Sequence, residues 1–140
     1  MTLRSRKLWQ AGVCLLYVVV DFKIFLKYGG SEFSGGRVSR AILSLHDYGF
    51  DFLFVAIFLT VFYPRMAAAV AIAASLMIFS LYLYLIAPGP IRRFFPGEYS
   101  VRFESNFVWH RWTTLGLVIL MGMMGVCLWN LLRFRPPPVR

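Results

Sequence analysis

The chain has 140 residues, of which 59% are hydrophobic and 18% aromatic, while 15% are charged; the formal net charge is +9 and the mean hydropathy +0.68. Soluble domains carry about a quarter charged residues, and a water-exposed surface with this many Phe, Tyr and Trp residues would present large apolar patches. A soluble fold is excluded, and so is nucleic-acid binding, because the basic residues flank apolar segments at the level where Lys and Arg meet lipid headgroups.

The N-terminal "MTLRSRKLWQAGVCLLYVVVDFK" has the basic and apolar regions of a signal peptide, but Asp21, Phe22 and Lys23 follow the apolar run where a small-residue cleavage site would stand. It is therefore expected to be a retained first transmembrane helix, about 7–26. The following 27–40 holds "KYGGSEFSGGRVSR", whose four glycines and three serines predict a polar loop. A second helix is expected over about 41–63. Its wholly apolar part, Phe52 to Tyr63, is shorter than the roughly 20 residues a span requires, so the helix must include the turn carrying His46, Asp47 and Asp51. "YPRM" predicts a tight reversal in which Pro64 can open the next helix, since a first-turn N–H has no intrahelical partner to lose.

A third helix is expected over about 66–87 and a fourth over about 108–132, the latter opening on the interfacial belt "VWHRW". Between them, 88–107 is a long loop with three prolines and two glycines, in which Tyr99, Val101 and Phe103 alternate with polar residues as a strand or an interfacial segment would. The tail 133–140 is basic and proline-rich and cannot continue a helix. The expected fold is an all-α integral membrane protein: one transmembrane domain, a four-transmembrane-helix bundle with one long Pro/Gly-containing extramembrane loop.

Four spans place both termini on one side with the 64–65 turn. That side carries seven basic residues and no acid; the other carries eight basic residues and all six acids. The basic cluster Arg4, Arg6 and Lys7 ahead of the first helix sets the expected orientation, with both termini cytoplasmic, in a bacterial inner or other energy-converting membrane. Helices in lipid associate where small residues let backbones approach, so Ala67, Ala71 and Ser75 on the third helix and Gly122 and Gly125 on the fourth are the expected seams.

Two constellations bear on chemistry. His46 and His110 fall at the same membrane surface, where paired histidines can hold a haem, and one can ligate a chlorophyll-type pigment. Asp47 and Asp51, one turn apart, join Asp21 at the same level; with Lys23 and Arg111 they are expected to form an ion-pair cluster that orients the second helix, whereas a proton relay is the functional alternative. Catalytic motifs are absent, Cys14 and Cys127 belong to no C-x-x-C pair, and no metal site is expected. The function expected from these observations is a non-catalytic accessory subunit of a larger membrane complex, photosynthetic or respiratory. It would contact larger membrane subunits and bound lipids through its helix faces and through Arg92, Arg93, Tyr99, Val101, Arg102 and Phe103 of the long loop. The alternative is a small haem-, quinone- or pigment-binding electron-transfer protein using His46 and His110.

Overall fold

The computed structural model describes residues 2–28, 36–86, 91, 93–96, 99–101 and 111–133. Four helices dominate: α1 (Leu3–Tyr28), α2 (Arg40–Phe62), α3 (Pro64–Ile86) and α4 (Arg111–Arg133). α1 is longer than the expected 7–26 at both ends. Its start is fixed by Thr2, whose hydroxyl accepts the Ser5 N–H at 3.2 Å while its carbonyl accepts the Arg6 N–H at 3.1 Å, so the basic first turn is helical rather than a preceding arm. At 26 residues α1 is about 39 Å long. The reversal between α2 and α3 turns on Tyr63 alone. Its N–H donates to the Leu59 carbonyl at 2.7 Å, its own carbonyl accepts the Ala67 N–H at 2.9 Å, and Pro64 opens α3 two residues before the expected start.

α2, α3 and α4 are each long and apolar enough to cross a membrane, which makes this a multi-pass membrane protein; α1 has the length but carries Asp21 and Lys23 within its apolar run. The helices form a closed square in which α1 packs on α2 and α4, and α3 packs on α2 and α4, with α2 against α3 the most extensive pairing. At one end the two longer connections meet. β1 (Gly36–Val38) pairs antiparallel with β2 (Tyr99–Val101), placing Arg37 opposite Ser100. The strand-like segment expected from the Tyr99–Val101 alternation is present as β2, with the 27–40 connection contributing its partner, so a short two-stranded ribbon sits at one end of the expected all-α bundle. Before β2, Ile91, Arg93 and Phe94 are helical, and the Phe95 N–H donates to the Ile91 carbonyl at 2.9 Å.

The seams are narrow and regular. α2 buries Ile42, His46, Gly49, Leu53, Ala56 and Thr60, and α4 buries Thr113, Gly116, Leu120, Met123, Cys127 and Asn130. These steps of four and three residues alternate as in a coiled-coil seam, which keeps one thin stripe of each helix facing its neighbours. α3 presents a broader buried surface: Ala67, Ala71 and Ser75 are fully buried, together with Ala68, Ala74 and Ile78, whereas the adjacent Ala69 and Ala73 face outward.

Gly122 and Gly125 depart from expectation. Both are exposed, with nothing within 4 Å of where a Cβ would stand, and the Val118 and Trp129 side chains on that surface are exposed as well. The α4 seam runs instead along the positions that include Thr113, Cys127 and Asn130; Asn130 turns inward to hydrogen-bond α1, as a polar group in an apolar medium must find a partner. The close approaches occur at Gly49, where a Cβ would lie 2.8 Å from the Ala74 carbonyl oxygen, and at Gly116, where it would lie 2.9 Å from the Tyr82 hydroxyl and from Ile24 Cδ1. Gly49→Ala is therefore expected to destabilise the bundle by about 1–3 kcal/mol, because the obstructing atom is backbone and α3 must move. Gly122→Ala should change stability by less than about 0.5 kcal/mol. Thermal unfolding of the two variants in detergent tests this contrast.

Candidate functional site

Two polar clusters lie inside the bundle, one toward each end. Toward the ribbon end, Asp21 on α1 and His46 on α2 are buried, 3% and 4% exposed. Asp21 lies about 10 Å from the end of α1, and His46 about 9 Å from the start of α2. Asp21 Oδ1 accepts a hydrogen bond from the Tyr17 hydroxyl at 3.1 Å and stands 3.5 Å from His46 Nε2. The other imidazole nitrogen, Nδ1, is 3.5 Å from Asp47 Oδ1. The Tyr82 hydroxyl, from α3, is the next polar neighbour of Tyr17. Beside this cluster an open groove of about 280 Å³ is lined by Asp21, Phe22, His46, Asp47, Phe50 and Asp51.

This arrangement differs from the expected ion-pair cluster. Lys23 is exposed, and its ammonium lies 5.4 Å from the Trp112 ring centroid, a cation–π contact rather than a pair with Asp21. The reason is helical geometry: residues two apart on a helix face nearly opposite directions, so Asp21 can enter the bundle only by turning Lys23 out. Arg111 and Asp51 are exposed, and His46 is paired with Asp21 and with Asp47.

His110 lies outside the described residues, so the expected His46–His110 pairing has no geometry here. His46 itself faces a carboxylate at each ring nitrogen. That suits an imidazole held between two acids, whereas a haem or chlorophyll ligand must keep one nitrogen lone pair directed at the metal. No group of three or more His, Cys, Asp or Glu side chains among the described residues is arranged to hold a metal ion. Of the loop residues expected to dock a partner, Arg93 is exposed, Tyr99 and Val101 lie in β2, and Arg92, Arg102 and Phe103 fall outside the described residues.

The second cluster, toward the termini, was not expected from the sequence. Gln10 on α1 is fully buried, and its Nε2 donates to Thr60 Oγ1 at 3.3 Å and to the Pro64 carbonyl at 3.1 Å. Asn130 Nδ2 donates to Gln10 Oε1 at 3.1 Å and to the Arg6 carbonyl at 3.3 Å. Thr60 Oγ1 in turn donates to the Ala56 carbonyl at 2.8 Å, and Lys7 Nζ donates to the Val61 carbonyl at 2.7 Å, near the end of α2 where carbonyls lack intrahelical donors. One glutamine thus connects α1, α2, α3 and α4. A single Gln within an apolar run, with a Thr and an Asn near the same ends of later helices, was the available signal. Between the clusters the interior is apolar, with Cys14 and Cys127 as unoxidised, fully buried neighbours beside Leu120 and Met123.

Neither protein-family models, curated proteins nor solved structures gave a match to this chain.

The Gln10 contacts define a measurable coupling. Gln10→Leu leaves the Asn130 and Thr60 side chains without their partner and should cost about 1–2 kcal/mol. Asn130→Leu should cost a similar amount, and the double variant less than the sum of the two, since the pair shares one bond. Unfolding free energies of the three variants in mixed micelles test this; strict additivity would show that the bond is absent.

Proposed function

We propose that the chain is a non-catalytic accessory subunit of a larger membrane assembly, an energy-converting complex being the expected host. In this reading all four helices cross the bilayer, with α1 carrying its buried Asp21 across inside the bundle, and both termini are cytoplasmic. The observation that carries it is the division of the surface. The described polar side chains that enter the bundle are largely engaged with one another, whereas α2 and α4 each turn only a thin stripe inward: 28% of the most apolar stretch of each is buried, against 44% for α3. What remains outside on α2 is an aromatic ridge. Phe54, Phe58 and Phe62 recur every four residues and are 41%, 73% and 76% exposed, and Phe50 meets Phe54 edge-to-face at 5.3 Å. Rigid rings in a row offer a partner helix large contact area at low conformational cost.

The 88–107 connection provides the second contact, and the β1–β2 pairing supports this by restraining it against the 27–40 connection, which lowers the entropy lost on docking. Larger membrane subunits are the partners, with lipid filling the remaining circumference. A haem, quinone or pigment role through His46 and His110 is less well supported, because both imidazole nitrogens of His46 face carboxylates.

The experiment is affinity purification of the full chain from its native membrane in mild detergent, followed by mass spectrometry. A defined set of membrane subunits should co-purify in constant ratio. Phe58→Ala with Phe62→Ala, or Tyr99→Ser with Phe103→Ser, should release that set while the chain stays inserted. A wild-type chain that purifies alone, colourless and stable, would sink the assembly reading.

A further inference from the structure

The Asp21–His46 pair has a feature that a purely structural ion pair does not need: it is connected to the outside. The contacts run from an exposed acid inward. The Asp47 side chain is 80% exposed, His46 5% and Asp21 4%, and Tyr17 is fully buried. The successive steps are 3.5 Å, 3.5 Å and 3.1 Å, the longer two being separations that small side-chain movements close to hydrogen-bond length. Each member, carboxyl, imidazole, carboxyl or phenol, can both take up and give up a proton. The path opens where Asp47 and Asp51 line the groove of about 280 Å³, at the end of the bundle away from the chain termini. It stops at Tyr17 and its neighbour Tyr82, near the midpoint of α1, because toward the termini the interior is apolar around Cys14, Cys127 and Met123.

The groups that face the pair come from each packed element. α1 supplies Tyr17, α2 supplies Asp47 and, across the groove, Asp51, and α3 supplies Tyr82. α4 offers Gly116 against the Tyr82 hydroxyl, with the uncharged Thr113 one turn away, while Lys23 and Arg111 are turned outward. Asp21 is paired with His46.

We propose that Asp47, His46, Asp21 and Tyr17 form a proton-exchange half-path, loading one proton from the ribbon end onto the buried His46–Asp21 pair. In the inward step a proton passes from the Asp47 carboxyl to His46 Nδ1, and His46 releases its Nε2 proton to Asp21 Oδ1. The Tyr17 hydroxyl then turns from donor to acceptor of the Asp21 proton. Two protons each shift one step, the net transfer is one proton from Asp47 to Asp21, no electrons move, and the imidazole is reset by the reverse transfer or by ring reorientation.

Infrared difference spectroscopy on the purified full chain in lipid nanodiscs, stepped between neutral and acidic buffer, tests this. A protonated-carboxyl stretch should appear on acidification, vanish in Asp21→Asn, and shift in D₂O. The exposed double variant Asp47→Asn with Asp51→Asn should keep the band but slow its isotope exchange at least about tenfold, as loss of a positioned proton donor does. Where Asp21→Asn fails to insert or fold, Tyr17→Phe serves instead, since removing the hydroxyl that contacts Oδ1 should move the same band. A spectrum in which neither variant alters any carboxyl band, or an exchange rate indifferent to Asp47 and Asp51, overturns the path. Either result leaves the accessory-subunit reading standing, because that reading rests on co-purification.

Discussion

A polar side chain inside a bundle that lies in lipid has nowhere to find a partner except another helix, and that constraint organises this molecule. Gln10, Thr60 and Asn130 toward one end hydrogen-bond across helix boundaries, and toward the other Asp21 of α1, which accepts from Tyr17 of the same helix, stands 3.5 Å from His46 of α2. In the apolar middle, packing must do the work, and there the small residues Ala56, Ala71, Ala74, Cys14 and Cys127 permit close approach. The rotation of each helix follows. α4 turns Thr113, Cys127 and Asn130 inward, and Gly122 and Gly125 consequently face out.

The same constraint separates the two clusters in kind. The Gln10 cluster is made of neutral amides, a hydroxyl and backbone carbonyls, and it is closed: its hydrogen bonds fix four elements in place and carry no ionisable group at their centre. The His46 cluster is ionisable, sits beside an open groove, and is held by longer contacts. The terminal end is thus held by neutral hydrogen bonds, whereas the ribbon end carries the ionisable groups and the groove.

Much of the fold was legible in the sequence because helix length and apolar content dominate in lipid. Four helices, the reversal before Pro64 and the extended Tyr99–Val101 segment follow from hydropathy, from proline's missing N–H and from alternation. The site was only half legible. The sequence marked Asp21, His46, Asp47 and Asp51 as one level of the bundle, but which of them turn inward depends on helix rotation. On α4 the glycines face out and Asn130 faces in, and on α1 Lys23 and Asp21 point apart, so the expected seam and the expected pairing both fail on helix rotation. Gln10 was overlooked because one amide hardly changes hydropathy; only its partners on distant segments give it meaning. In apolar helices the sparse polar residues therefore report rotation more reliably than the small ones do.

Helix rotation is the claim on which the seams, both clusters and the outward aromatic ridge depend, and site-directed spin labelling along α4 measures it most directly. Single nitroxides placed from residue 113 to residue 130, in membranes equilibrated with oxygen, report the lipid exposure of each position. The account predicts oxygen-accessibility minima at Gly116, Leu120, Met123 and Cys127, and maxima at Val118, Gly122, Gly125 and Trp129. Minima at Gly122 and Gly125, with maxima at Leu120 and Cys127, would contradict it.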